Sequence, residues 1–242
     1  CNFVDAIYSI MRAEDVDLTV PLVDEELPKL ADYAPFLMPT KQFALTCLDK
    51  WILTSELRTA DIPVPATVLV DEWWPKASPG VFRLPVPHIL KPRTGRGSRG
   101  VHMVTGWFNW PFLFEGDPEP PEEPYLLQEY IDGPEYTVSV VCDQHNTVHA
   151  VVPKGIIRKE GSTRLAVTRR NEKIDALCRR IAEALHPCGP FNVQLRLKDG
   201  EPYVFEINPR CSGTVNLTIA AGCDEVGGLI ELALGRPYTF GA

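Results

Sequence analysis

The chain has 242 residues, of which 45% are hydrophobic and 23% are charged. This composition is typical of a globular protein with a packed core, and the length allows one large domain or two small ones. The 32 acidic and 24 basic residues give a formal net charge of −8. That charge argues against nucleic acid or an anionic membrane as the main partner. No stretch approaches 18 uninterrupted apolar residues, so the sequence predicts no membrane-spanning helix.

The seven cysteines are odd in number and form no CxxC pair. We therefore expect neither a structural zinc site nor a dense disulfide framework, but free thiols in a reducing cytoplasm. The chain starts at Cys1 without a signal-peptide pattern, which also predicts a cytoplasmic protein. We further expect that its true N-terminus is missing.

The first predicted elements alternate a strand with helices. Residues 16–23 are β-branched and predict a strand of an α/β unit, and the acidic residues after them lead into a helical segment ending near residue 33. Thr40 is placed to N-cap a helix over residues 41–59. The prolines in residues 61–65 end that helix.

Strands dominate the remainder of the sequence. Their predicted positions are 66–70, 88–91, 125–130, 136–142, 147–153, 191–197 and 202–207. One further helix is predicted over residues 174–185, where apolar side chains recur at helical spacing. Because strands outnumber helices after residue 125, the sequence favours an α+β fold with antiparallel sheets.

The last predicted hairpin ends in polar residues at alternate positions, Glu206, Asn208 and Arg210. With a tight two-residue turn, Gln194 on the neighbouring strand would point away from Glu206. A three-residue loop with Gly200 in the left-handed conformation instead places Gln194 on the face of the carboxylate. Three oxygen donors on one face suit Mg²⁺, and an adjacent arginine could pair with an anionic oxygen. A solvated sheet face is the alternative.

A second segment, KPRTGRGSRG at residues 91–100, combines glycines with basic residues. Gly95, Gly97 and Gly100 fit the GxGxxG expression, but the β-like residues 101–104 follow where a dinucleotide fingerprint requires a helix. The pattern favours a strand–loop–strand flap whose N–H groups and Ser98 hydroxyl fold over phosphates. Its charge would come from Lys91, Arg96 and Arg99. A plain basic hairpin loop is the alternative.

A third segment, LQEYIDGPEY at residues 127–136, runs from a strand into a Gly-Pro turn. The backbone of Glu129, Tyr130 and Ile131 could pair with an adenine edge, and Glu135 could accept hydrogen bonds from ribose hydroxyls. The residues alone favour an ordinary strand and turn.

Taken in this order, the segments resemble the ATP-grasp superfamily, and most closely its carbamoyl-phosphate-synthase-like branch. The resemblance rests on Asp49-Lys50, Lys91-Pro92, QEYIDGPEY, GPFNVQ and FEINPR, and it covers residues 16 to about 235. It implies two α+β subdomains that clasp a nucleotide: a lid over residues 65–127 and a core over 128–242. Residues 1–64 would then be the tail of a preceding α/β domain with a linking helix.

The resemblance also implies a role for each matching residue. ATP contacts would come from Lys50, Lys91, Gly95, Gly97, Ser98, Gly100, Glu129, Tyr130, Ile131 and Glu135. Gln194, Glu206 and Asn208 would hold Mg²⁺, with Mn²⁺ as an alternative. Arg210, with Arg158 as a second choice, would stabilise the transferred phosphoryl group.

The implied activity is that of an ATP-dependent ligase. It would activate a carboxylate as an acyl phosphate and couple it to an amine or a similar nucleophile, so that its partners are small molecules. Family habit favours a homodimer. The alternatives are a regulatory ATP-binding module without catalysis, a kinase that phosphorylates a small-molecule alcohol, and a dinucleotide-dependent dehydrogenase. The basic segment 155–170 indicates either an anionic substrate or a solvated loop.

Overall fold

A computed structural model describes residues 3–31, 37–70, 86–95, 97, 99–106 and 124–241. The strands are β1 (Thr67–Val70), β2 (His88–Pro92), β3 (His102–Val104), β4 (Tyr125–Glu129), β5 (Glu135–Cys142), β6 (Val148–Glu160), β7 (Ser162–Thr168), β8 (Phe191–Lys198) and β9 (Glu201–Asn208). The helices are α1 (Phe3–Ala13), α2 (Leu27–Leu30), α3 (Lys41–Leu48), α4 (Lys50–Thr59), α5 (Glu172–Leu185), α6 (Val215–Ala220) and α7 (Glu225–Ala233).

The strands form two antiparallel sheets. The smaller has the order β1-β4-β2-β3, and the larger has the order β7-β6-β5-β8-β9. Each strand pairing in the described part of the chain is antiparallel. The α+β prediction is therefore confirmed. The exact boundaries 65–127 and 128–242 of the two subdomains stay a prediction.

The main core lies on one face of the five-stranded sheet. Alternate residues of its central strands point into this core and pack against α3, α4 and α5. They include Tyr136, Val138, Val140, Phe191, Val193, Leu195, Val204 and Ile207. Because side chains alternate along a strand, the residues between them point to the opposite face. That second face carries the polar residues of the candidate site.

The helix predicted over residues 41–59 is two helices, so this prediction is wrong. The break is at Asp49, which has an extended backbone (φ −103°, ψ 102°) and accepts hydrogen bonds from the Trp51 and Ile52 N–H groups. Its carboxylate also pairs with Arg93, whose Nη2 lies 2.7 Å away. The same side chain thus caps α4 and anchors it to the loop after β2. The predicted cap at Thr40 is confirmed, since its hydroxyl accepts from the Phe43 N–H.

The strand predicted over residues 16–23 is also wrong. Only Thr19 has bridge geometry, and its carbonyl accepts a hydrogen bond from the Leu37 N–H. The apolar side chains that suggested a strand are used in packing instead, since Leu18 and Val20 lie against a small core cluster around Val141. A turn of 3-10 helix, Asp24–Glu26, follows, and the helix after it ends at Leu30.

We expect Asp49→Ala to destabilise the fold, because it removes a helix N-cap and leaves Arg93 without this partner. The expected loss is about 1–2 kcal/mol in the free energy of unfolding. Urea denaturation would measure it. The control is Glu231→Ala, which breaks only an exposed pair with Arg236 and is expected to cost less than about 0.5 kcal/mol. Equal losses in the two variants would contradict the capping role.

Candidate functional site

A cleft of about 670 Å³ is lined by residues of both sheets. Most of the sequence-predicted site residues lie in it: Lys50, Lys91, Gly95, Gly97, Glu129, Tyr130, Ile131, Glu135, Gln194, Glu206, Asn208 and Arg210. Ser98 lies outside the described residues. Gly100 and Arg158 are described but do not belong to the lining. Residues spread over 160 positions of the sequence, from Lys50 to Arg210, thus meet around one space.

The polar face of β8 and β9 is produced by a bulge and not by the predicted loop. Asp199 and Gly200 both have positive φ (52° and 80°), and Lys198 pairs directly with Glu201, so the turn has two residues. The predicted three-residue loop is wrong. Leu195 pairs with Val204 but Gln194 pairs with Glu206, which leaves one extra residue, Phe205, on β9. The bulge places Gln194 and Glu206 on the same face of the sheet, which the loop was expected to do.

Four amide and carboxylate side chains consequently share the cleft face. Gln194 lies opposite Glu206, and Asn192 lies opposite Asn208. Asn192 was not predicted as a site residue, and its Oδ1 accepts a hydrogen bond of 2.7 Å from the Thr137 hydroxyl. Its position two residues before Gln194 was the available signal, because residues i and i+2 share a strand face.

The donor set fits a hard divalent cation. One carboxylate and two amide side chains supply oxygen ligands only, and Mg²⁺ takes oxygen ligands while keeping places for water and substrate phosphate. No cluster of three or more His, Cys, Asp or Glu in the described ranges could hold a metal on its own. A zinc-type site is therefore not formed by these residues, whereas Gln194, Glu206 and Asn208 suit Mg²⁺.

Lys91 lies between the two sheets. Its side chain is 6% exposed, and its Nζ donates to Gln128 Oε1 (2.9 Å) and to the Phe205 carbonyl (3.2 Å). The ammonium also lies 5.8 Å from the centre of the Phe205 ring. Burial lowers the pKa of Lys91 to about 8, although the negative charge of Glu206 acts in the opposite direction.

The glycine segment lies between two strands, and its role as a phosphate flap stays a prediction. Strand β2 pairs with β3 in an antiparallel hairpin, so a strand and not a helix follows the glycines, as predicted. Gly95, Gly97 and Gly100 all have positive φ, which only glycine adopts easily. A Cβ on Gly100 would also lie 3.0 Å from both Pro92 and Tyr125, so this glycine shapes the flap from outside the cleft. Lys50 reaches the flap by donating to the Gly95 carbonyl at 2.7 Å.

At one end of the cleft, Arg210 is held by a residue from the N-terminal segment. Its Nε and Nη2 lie 2.9 and 3.2 Å from the two carboxylate oxygens of Asp24. Asp24 is 4% exposed, and this burial raises its pKa despite the opposing effect of Arg210. In the sequence this aspartate is recognisable only as part of an acidic cluster, because its partner is 186 positions away.

At the other end, the predicted ribose residue Glu135 lies between two cations. Lys159 Nζ is 2.7 Å from its Oε1, and Arg196 Nη2 is 2.6 Å from its Oε2. Neither cation was predicted as a site residue. Arg158 was, but its side chain is 66% exposed, lies 3.8 Å from Glu160, and does not face the cleft. The bulges in β6 on both sides of Arg158 alter the alternation there, and Lys159 faces the cleft instead.

Comparison with known proteins agrees with this geometry. A family model described as "ATP-grasp in the biosynthetic pathway with Ter operon" matches residues 121–240. The carbamoyl phosphate synthase large chain of Thermoanaerobacter sp. (strain X514) is 32% identical over 126 residues, which are 48% of this chain and 12% of that protein.

Two solved structures have the same fold. Biotin carboxylase from Campylobacter jejuni, in a β-γ-ATP complex, superposes with a TM-score of 0.76 at 16% identity over 98% of this chain and 58% of that one. D-alanine–D-alanine ligase from Bacillus anthracis gives 0.71 at 21% identity over 95% of this chain and 84% of that one. The chain belongs to the ATP-grasp superfamily. It spans only 12% to 42% of the length of the first curated relatives that it matches.

The cleft of this ATP-grasp chain is positive although the chain as a whole is negative. Its described lining contains seven basic and four acidic side chains. The basic ones are Lys50, Lys91, Arg99, Lys159, Arg164, Arg196 and Arg210, and the acidic ones are Asp24, Glu129, Glu135 and Glu206. A positive cleft with low-dielectric walls concentrates anions. The site therefore suits a polyanionic ligand.

None of the described helices is long and apolar enough to cross a membrane.

We expect Asp24→Asn to destabilise the ATP-grasp fold by about 1–2 kcal/mol, because it removes the charge opposite the half-buried Arg210. Thermal unfolding at neutral pH would measure this loss. Glu160→Gln is the matched control, since its partners Arg158 and Arg164 are largely exposed at 3.8 Å. An Asp24→Asn variant as stable as this control would show that the ion pair does not hold the N-terminal segment in place.

Proposed function

We propose that the chain is the ATP-binding and catalytic part of a ligase that activates a carboxylate as an acyl phosphate. The observation that carries this proposal is the arrangement of Gln194, Glu206 and Asn208 on one sheet face, with Lys91 and Arg210 lining the same cleft. Metal ligands, a buried ammonium and a guanidinium together are the groups that phosphoryl transfer requires. None of these groups has to form a covalent bond with the substrate.

Each group has a separate task in this proposal. Lys50 and Lys91 bind phosphate oxygens, Glu129 to Ile131 border the adenine, and Glu135 accepts from the ribose. Gln194, Glu206 and Asn208 would hold Mg²⁺, which would supply positive charge to neutralise the charge that develops on the phosphates. Arg210 orients the phosphoryl group that is transferred, as a guanidinium can donate two parallel hydrogen bonds to an anion.

The reaction balances without a redox partner. A carboxylate oxygen of the substrate attacks the γ-phosphorus of ATP, the bond to the β-phosphate oxygen breaks, and ADP leaves. An amine nitrogen then attacks the acyl carbon, phosphate leaves, and the nitrogen loses a proton. Fold likeness to D-alanine–D-alanine ligase and partial sequence likeness to carbamoyl phosphate synthase support a ligase. The homodimer and the cytoplasmic location stay predictions.

The test is ADP release with Mg²⁺ and ATP against a panel of carboxylic acids, with hydroxylamine added to trap an acyl phosphate. We expect hydroxamate with at least one acid, and Glu206→Ala to abolish it by removing the carboxylate ligand. Glu231→Ala, on the surface of α7, is expected to react like the wild-type chain. Hydroxamate formation that survives in Glu206→Ala would refute the metal assignment. Phosphorylation of an alcohol would indicate a kinase instead, and ATP binding without turnover would indicate a regulatory module.

We expect ATP affinity to fall as the pH rises through about 8, where the buried Lys91 loses its proton. The charged form binds phosphate, so each pH unit above this pKa lowers the affinity by up to about tenfold. Calorimetric titration between pH 7 and 9.5 would measure this. Lys91→Met should bind ATP more weakly at pH 7 and lose the pH dependence.

The control for this measurement is Lys173→Met, which removes an exposed lysine that pairs with Glu201 outside the cleft. It should keep both the affinity and the pH dependence of the wild-type chain. Unchanged ATP affinity in Lys91→Met would remove Lys91 from the phosphate site.

A further inference from the structure

We propose that Arg196 is a positioning residue that sets the selectivity of the nucleotide site for the ribose hydroxyls. It does so by holding Glu135 in place against the hinge, the segment of residues 129–134. The proposal rests on the proposed function, because it takes the ligand of the cleft to be ATP. It goes beyond that function in assigning ribose recognition to a three-residue unit, Glu135 with Arg196 and Lys159.

One side of the Arg196 guanidinium binds the hinge. Nη1 donates to the Tyr130 hydroxyl at 2.9 Å and lies 3.4 Å from the Gly133 carbonyl. The guanidinium carbon is 4.8 Å from the centre of the Tyr130 ring, which is a cation–π distance. The planar group therefore fixes both the side chain and the backbone of the segment that would border an adenine.

The other side binds the carboxylate. Arg196 and Glu135 are directly opposite each other on β8 and β5, and Nη2 reaches Oε2 at 2.6 Å. Lys159 holds the second oxygen, Oε1, at 2.7 Å. A carboxylate has about four lone-pair directions, so two cations fix its orientation and still leave places for ribose hydroxyls. Only an oriented carboxylate can distinguish a ribose from a sugar without hydroxyls.

The backbone makes this arrangement rigid. A Cβ on Gly133 would lie 1.9 Å from the Leu197 carbonyl, so the hinge approaches β8 as closely as glycine allows. The Leu197 N–H also donates to the Pro134 carbonyl at 3.0 Å. The hinge thus holds the backbone of Leu197 in place, and with it the strand position of the neighbouring Arg196.

Arg196 also connects the two halves of the cleft. It lies two positions after Gln194 on β8, and both side chains line the cleft. The same strand thus offers a metal ligand to the phosphates and a guanidinium to the adenosine end. Loss of Arg196 should affect ribose recognition and leave the metal ligands in place.

The experiment compares binding of MgATP and Mg-2′,3′-dideoxyATP by calorimetry in the wild-type chain and in Arg196→Met, which keeps most of the apolar stem. We expect the wild-type chain to bind ATP about tenfold more tightly than dideoxyATP, because one or two hydrogen bonds to a charged group contribute an affinity difference of this size. In Arg196→Met we expect ATP to bind about tenfold more weakly and dideoxyATP to change by less than about twofold. The preference would then disappear.

Four further variants make the result specific. Arg236→Met removes an exposed arginine that does not line the cleft and should keep the wild-type preference. Glu135→Gln should lose the preference, and adding Arg196→Met to it should change the preference no further, since both act through one carboxylate. Arg196→Lys, which retains a charge but only one donor group, should show an intermediate preference, and it replaces Arg196→Met if that variant does not fold.

Each other outcome overturns the inference. An equal loss of affinity for both nucleotides in Arg196→Met would mean that the residue supports the fold alone. Equal binding of both nucleotides by the wild-type chain would mean that Glu135 does not recognise the ribose. If the wild-type chain bound neither nucleotide, the proposed function would fail with it, which distinguishes that result from the first two.

Discussion

The bulge at Phe205 is the constraint on which the site depends. With a two-residue turn and no bulge, Val204 opposite Leu195 would put Phe205 opposite Gln194 and Ile207 opposite Asn192. The donors on β8 and β9 would then point to opposite faces, and no cation could bind both. One extra residue on β9 places Glu206 and Asn208 on the same face as Gln194 and Asn192. It also leaves Phe205 free to offer its carbonyl and its ring to Lys91, so that the same irregularity joins the metal face to the smaller sheet.

Lys91 connects the fold to the ligand. A buried ammonium is costly when its partners are neutral, and the two hydrogen bonds seen here go to an amide oxygen and a carbonyl oxygen. The lowered pKa expresses that cost, since the folded chain binds this proton less tightly than the unfolded one. Between about pH 8 and the usual lysine pKa, the contribution of Lys91 to the free energy of unfolding therefore becomes more favourable to the folded chain as the pH rises. A phosphate oxygen beside the ammonium would supply the missing charge, so a bound nucleotide should stabilise the contact between the two sheets.

The sequence could predict features that depend on neighbouring residues. Thr40 caps a helix from three residues away, and alternating β-branched residues show their strands directly. It could not predict features that depend on distant partners. The pairing of Asp49 with Arg93, 44 positions later, is one such feature, and the role of Asp24 beside Arg210 is another. The bulge has no local signature in this hairpin. The Asp-Gly sequence correctly indicates a two-residue turn, and the need for an extra residue on β9 becomes visible only when the buried side chains of both strands are required to face the same core. The residues alone suggested the polar face of β8 and β9 and the basic glycine segment, and a family resemblance added Lys50 and Arg158. The structure brings most of the predicted residues into one cleft.

The two ends of the cleft are built on the same principle. At each end an arginine is fixed by a carboxylate from another segment: Arg196 by Glu135, and Arg210 by Asp24. Fixing an arginine in this way does not prevent it from binding an anion. A guanidinium has five N–H donors. Among the described residues, Arg210 donates from Nη2 to Asp24 Oδ2 and from Nη1 to the Cys211 carbonyl at 3.1 Å, with a longer Nη2 contact of 3.5 Å to Asn208. Its Nε lies 2.9 Å from Asp24 Oδ1 as an ion pair. At least one Nη1 donor therefore remains for a ligand while Asp24 stays bound. The carboxylate then orients the guanidinium and does not compete with the phosphoryl group, which explains why a buried ion pair can lie beside a site that must accept an anion.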